Sequence, residues 1–264
     1  MKEFGARFQR LPRDTQECLA FFSRLPVGSG DSLSDFRISA AAWPLAGGVI
    51  VLVPAIVLWL SLSLGLPSLI AAALALGLAV AITGGLHEDG LADTADGFGG
   101  GETKERKLEI MRDSRLGSFG AMALIFSIMI RTMALAMISG DPGRGVIALF
   151  AIALASRTLA LWHWNALEPA RADGLAVSAG QPDWRALSIG AGLGLIGLVA
   201  LLLAFGMAAV IAASAAIVLT YLFTRLSERQ IGGHTGDTIG ASQQIAEAAM
   251  LAGLTAGWQT YLPT

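Results

Sequence analysis

The sequence runs to 264 residues, of which 54% are hydrophobic and only 14% charged. That balance excludes an ordinary water-soluble enzyme and points to a chain embedded in lipid. A formal net charge of −2 argues against a nucleic-acid partner, and a single cysteine, Cys18, excludes an internal disulfide or a cysteine-based metal cluster.

The first 40 residues carry several charges and no clean apolar core. They are expected to form a retained N-terminal segment with no cleavable signal. Apolar stretches near 45–64, 67–86, 120–138 and 146–164 are each long enough to cross a bilayer. Between Arg185 and Arg225 no residue is charged, a length that reads as a helical hairpin turning near Gly206. The segment 241–258 is weaker because it carries Gln243, Gln244 and Glu247. The expectation is one all-α domain over 1–264, a polytopic integral membrane bundle of six helices, or seven if 241–258 crosses.

Basic residues set the orientation. With the N-terminus inside, the segments 1–40, 87–119, 165–186 and 225–239 share one side. They hold all of the 18 Lys and Arg residues except Arg131, Arg144 and Arg157. The positive-inside rule puts that side in the cytoplasm. Every charged motif lies there or reaches it, so a site built from several cytoplasmic loops is expected. The oligomeric state is left open, with room for a homo-oligomer.

The strongest chemical signal is His87-Glu88-Asp89-Gly90-Leu91-Ala92-Asp93-Thr94-Ala95-Asp96-Gly97, at the end of an apolar stretch. On a helix Asp89, Asp93 and Asp96 fall within about 60° of one another, at roughly 100° per residue. Like charges so placed repel unless a cation joins them, and oxygen-only ligands favour Mg²⁺ or Mn²⁺. These three aspartates are the expected metal ligands; Glu88 points about 100° away. The bland alternative is a solvated acidic helix end.

Glu102 to Arg115 reads as a charged amphipathic helix with Glu102, Glu105, Glu109 and Asp113 on one face. Asp113-Ser114-Arg115 at its end combines a carboxylate, a hydroxyl and a guanidinium, a set able to complete a metal shell and grip phosphate. Arg131 and Arg157 lie inside apolar spans, where an arginine costs about 2.5–3.5 kcal/mol on insertion scales. They face a phosphate-bearing cavity or form interhelical ion pairs. In 232–240, glycines frame Thr235 and Asp237, the latter a further ligand or general base, while His234 reads as a surface loop group. His163, between Trp162 and Trp164, reads as an interfacial anchor.

The motifs together resemble the cobalamin synthase family, the adenosylcobinamide-GDP ribazoletransferases. The resemblance is carried by Phe22-Ser23-Arg24-Leu25-Pro26 and Trp43-Pro44-Leu45, by Gly84-Gly85-Leu86-His87 with the aspartate run, and by 108–117. Ser156-Arg157, Arg171 with Gly174-Leu175, and Gly232-Gly233 with 235–238 and Gly240-Ala241 extend it over most of the chain. It departs at Glu88 and Gln244.

The resemblance implies that adenosylcobinamide-GDP is joined to α-ribazole or its 5′-phosphate, giving adenosylcobalamin or its 5′-phosphate and GMP. This would be the last step of nucleotide-loop assembly, at the bacterial cytoplasmic (inner) membrane, with Mg²⁺ as the metal. The expected roles are then Asp237 and Asp113 in catalysis and Asp89, Asp93 and Asp96 on the metal. Ser114, Arg115, Arg131, Arg157, Arg171 and Thr235 would bind substrate or phosphate. Another Asp-rich polytopic transferase is the nearest alternative; the Asp-Gly-x-x-Ala-Arg pattern of CDP-alcohol phosphotransferases fails here, where Asp89-Gly90 is followed by Leu91-Ala92-Asp93-Thr94. A transporter would spread its charges along the spans, and here they concentrate in one loop.

Overall fold

The computed structural model describes residues 2–28 and 36–256. Among them there is helix and no strand, only an isolated bridge pairing Pro169 with His234. Helix α1 spans Lys2–Phe22 and packs against the first membrane segment, which runs from Phe36 to Ser63. That segment consists of the short α2 (Phe36–Ser39), a 3-10 turn, α3 (Trp43–Ile50) and α4 (Leu52–Ser63). It begins nine residues before the expected 45, because Ala40, Ala41, Ala42 and Trp43 are already buried.

Helices α5 (Ser68–Thr83) and α6 (Leu86–Gly100) meet at a bend of 87°. Gly84 and Gly85 make it, with φ of +68° and +73°, a conformation that a Cβ disfavours. Together the two have the length and hydropathy of one crossing, broken at this bend or re-entrant. The apolar stretch near 67–86 therefore ends three residues early and does not run on into the aspartates. Next come the short α7 (Lys104–Ile110) and the crossing α8 (Ser118–Ile138). Helix α7 covers only the middle of the expected amphipathic helix. Glu102 and Asp113 lie beyond its ends, so the four acids do not share a helical face.

The crossing α9 (Pro142–Ala166), the five-residue α10 (Leu175–Ala179), and the crossings α11 (Trp184–Phe205) and α12 (Met207–Ile231) follow. The last two form the expected hairpin, turning at Gly206 with φ +55°. Five segments are long and apolar enough to cross a membrane, and the bent α5–α6 pair, counted as one broken span, makes six. Their outward faces carry large apolar side chains such as Ile125, Phe126, Leu203 and Val218 at about half exposure or more, the pattern of a lipid-facing surface.

The final helix, α13 (Gly236–Leu254), is not among those apolar spans. It packs against α6, α8, α9 and α12 and buries Ser242, Gln243 and Gln244 as fully as its apolar residues. Its polarity, a weakness for a lipid-facing span, is what an enclosed helix uses to bond to its neighbours. Arg131 on α8 sits 3.1 Å from both Glu88 of α6 and Glu247 of α13. Gln243 donates to Glu247 at 2.6 Å and to Ser156 of α9 at 3.2 Å.

Candidate functional site

The end of α1, the start of α3, α6, the 167–174 loop and the N-terminus of α13 meet around one cleft. Helices α6 and α13 approach there with almost no side chain between them. A Cβ on Gly90 would lie 2.7 Å from the Asp237 carbonyl oxygen, and one on Gly240 would lie 3.2 Å from the His87 Cα. This glycine crossing sets Asp237 beside the aspartate helix.

At that point the cleft has a cavity of about 150 Å³. Phe22, Trp43 and Trp164 line one part, Asp89, Arg171 and Asp237 another, and His87 joins them. Phe22 stacks on Trp43 with centroids 4.5 Å apart, and His87 stacks against both rings at 5.8 and 6.0 Å.

Asp237 is held by the start of its own helix. Thr235 is the N-cap of α13: its hydroxyl accepts from the Thr238 amide at 3.3 Å and donates to Asp237 Oδ2 at 3.2 Å. The reciprocal bond from the Thr235 amide to Thr238 Oγ1 completes a capping box. Arg171 reaches Asp237 Oδ2 at 3.8 Å. Burial pushes the Asp237 carboxyl above its usual range, against the pull of Arg171 and Thr235. Asp93 is pushed up to about 7, first by burial and then by the negative charges of Asp89, Asp237 and Asp96. Four carboxylates therefore repel one another across α6 and α13, the electrostatic setting a divalent cation relieves.

Asp96 differs from its two neighbours. Its oxygens accept from the amides of Gly117 at 2.7 Å and Gly120 at 2.8 Å, so it caps the N-terminus of α8, where a negative charge is favoured. Among the described residues no three His, Cys, Asp or Glu side chains are poised as a ready-made metal cage. Asp89 and Asp93, with Asp237 opposite, offer oxygen ligands of the kind that could hold a divalent cation.

Other expected site residues lie elsewhere. Arg131 is 3% exposed and neutralised between Glu88 and Glu247, which fits the ion-pair alternative rather than a phosphate grip at the cleft. Buried Arg157 lies over Gly47 and donates to Ala153 of its own helix at 3.2 Å. Both line a separate deep chamber with Gln243, Gln244 and Glu247, and His87 lines this chamber as well as the cleft. Arg115 is exposed and paired at 2.5 Å with the part-exposed Asp113, the guanidinium holding the carboxyl at about 2. Neither they nor Ser114 line the cleft.

Sequence reasoning misplaced two histidines and missed the aromatic wall. His163 is wholly buried, 2.8 Å from Thr224 Oγ1 and 3.3 Å from Thr238 Oγ1, so it is a strut between α9, α12 and α13 and not an anchor at the membrane surface. His234 is buried too, with its backbone bonded to Ala170 and Glu168. Phe22, Trp43 and His87 each belong to a sequence motif, but nothing in the sequence brings the three rings together.

Comparison with known proteins places these features. The family model described as Cobalamin-5-phosphate synthase, CobS, matches residues 15–255. A Rhizobium johnstonii protein named adenosylcobinamide-GDP ribazoletransferase is 46% identical over 250 residues, covering 91% of this chain and 95% of its own. Proteins of the same name from Azorhizobium caulinodans and Brucella ovis are 45% and 44% identical, covering 94% and 91% of this chain and 97% and 95% of their own. No solved structure matches. The chain belongs to the cobalamin-5-phosphate synthase family.

Proposed function

On the strength of that membership we propose that this chain is an adenosylcobinamide-GDP ribazoletransferase. It joins adenosylcobinamide-GDP to α-ribazole or its 5′-phosphate and releases GMP, closing the nucleotide loop. In the reaction the ribose 3′-hydroxyl of the acceptor attacks the phosphorus that bears the cobinamide aminopropanol. The new P–O bond forms as the bond to GMP breaks, and the hydroxyl proton goes to a base.

The observation that carries the reading is the α6–α13 crossing, which sets Asp237, Asp89 and Arg171 around one cleft. Arg171 supplies a planar donor pair for diphosphate oxygens. Asp237, buried and raised in proton affinity, is suited to take the 3′-hydroxyl proton. Asp89 and Asp93 would hold Mg²⁺, which supplies positive charge for the diphosphate and the departing GMP. Asp96 supports them by fixing α6 to α8. The basic-residue asymmetry supports an orientation with the cleft facing the cytoplasm, in the inner membrane.

The test is purified protein in detergent with adenosylcobinamide-GDP and α-ribazole, with and without Mg²⁺, followed by chromatography. GMP and the cobalamin product should appear together, only with both substrates, and should vanish on chelation. No GMP under any of these conditions overturns the reading.

A further inference from the structure

The aromatic part of the cleft has no role in the phosphate chemistry. It is nonetheless built from large buried rings: Trp43 is 0% and Trp164 2% exposed, set edge to face with centroids 6.5 Å apart. Phe22 is stacked flat on Trp43, and Phe21, only partly buried, lies edge-on to Phe22 at 4.8 Å. The indole N–H groups of Trp43 and Trp164 and Nη1 of Arg171 have no partner among the described residues. Buried donors without acceptors are costly unless something else bonds to them. All three belong to residues that line this one cleft.

The three reacting components differ in what they would bring to such a wall. A corrin macrocycle with its amide side chains is too bulky for a cavity of about 150 Å³. Guanine is flat but brings N–H donors of its own, and of the wall's unpartnered groups only His87 Nε2 could accept one. The benzimidazole of ribazole is flat and apolar. Its one free ring nitrogen is an acceptor and it has no ring donor.

We propose that the wall formed by Phe21, Phe22, Trp43 and Trp164 is the seat of the acceptor's benzimidazole base. The base stacks among the rings while its free nitrogen accepts from an indole N–H. The ribose then extends toward Asp237, and the corrinoid stays outside the cleft. This assignment rests on the transferase reading and adds which substrate occupies the wall.

The experiment measures KM for each substrate separately in Phe21→Leu and Trp164→Phe, with thermal unfolding in parallel. Phe21 is chosen because it is not in the sealed core, and Trp164→Phe keeps a ring while removing the N–H. Each should raise KM for α-ribazole about two- to ten-fold, the equivalent of one aromatic contact or hydrogen bond, and leave KM for adenosylcobinamide-GDP unchanged. A rise for adenosylcobinamide-GDP instead, or for neither substrate in folded variants, overturns the assignment.

Equilibrium dialysis of free α-ribazole against the wild-type protein, with no second substrate, gives an independent readout. Binding should be saturable, weakened by Phe21→Leu and insensitive to guanosine; competition by guanosine would assign the wall to guanine. Wild-type protein that binds α-ribazole but forms no product would sink the transferase reading and leave the base seat standing. Product formation with unaffected variants would do the reverse.

Discussion

Gly90→Ala tests the geometry on which the site depends. The added methyl would stand 2.7 Å from the Asp237 carbonyl oxygen and 3.1 Å from its Cα. Ordinary contact needs about 3.4 Å or more, so α6 and α13 must part by roughly 0.5–1 Å at that point. Backbone is on the receiving side, so no side chain can swing away. Overpacking of this kind costs about 1–3 kcal/mol, and alanine returns about 1 kcal/mol of helix propensity. The net loss of stability is therefore small, about 0–2 kcal/mol. Activity is expected to fall further, about 100-fold in kcat, because displacements of this size at a reacting group cost that much. Gly77→Ala in α5, where nothing lies within 4 Å, is the control and should leave kcat unchanged. The assay is GMP release at saturating substrates beside thermal unfolding. Wild-type kcat in folded Gly90→Ala would show that the close crossing does not position Asp237.

In chelator, stability should fall as pH rises from about 4 to about 7, because the folded Asp93 carboxyl holds its proton up to about 7 and the unfolded one does not. Asp93→Asn should flatten that slope and added Mg²⁺ should oppose it; a melting temperature that does not change over this range refutes the shared-charge picture. Arg131→Met leaves Glu88 and Glu247 buried without their partner and should destabilise by about 3–5 kcal/mol, whereas Arg171→Met should stay folded and raise KM for adenosylcobinamide-GDP. A stable Arg131→Met with a KM defect would return Arg131 to phosphate binding. Single cysteines at Ser118 and Ser178 should resist an impermeant thiol reagent added to intact cells and one at Gly143 should react, in a Cys18→Ser background; labelling of Ser118→Cys from outside would reverse the orientation.

What could be read along a single helix or span was legible. The spacing of Asp89 and Asp93, the hairpin at Gly206 and the crossings in α8 and α9 depend on periodicity and length alone. What depends on a distant partner was not. Asp96 has the same spacing as its neighbours, and only the arrival of Gly117 and Gly120 turns it into a cap for α8. Gln243, Gln244 and Glu247 weakened 241–258 as a lipid-exposed span. Their partners Ser156 and Arg131 lie on other helices and make that polarity fit an enclosed one. The Gly84-Gly85 pair carried a local signal for the sharp bend, but its consequence, an aspartate helix turned away from α5, is tertiary.

A charge balance hidden in the sequence explains why two expected phosphate ligands are not at the cleft. Arg131 and Arg157 are the basic residues inside spans, and Glu88 and Glu247 are the acids that α6 and α13 bring to the same deep chamber. Arg131 pairs with both acids there, and Arg157 shares the chamber with them, which lowers the cost of burying these charges. The charge of Arg131 is spent on holding α6, α8 and α13 together. The cleft is left with carboxylates and, among the described residues lining it, the single guanidinium of Arg171. On the proposed reading, a diphosphate entering it would meet more negative charge than positive, a deficit of positive charge that a cation would offset. That deficit, more than the spacing of the aspartates, is the physical argument for Mg²⁺ arriving with the substrate.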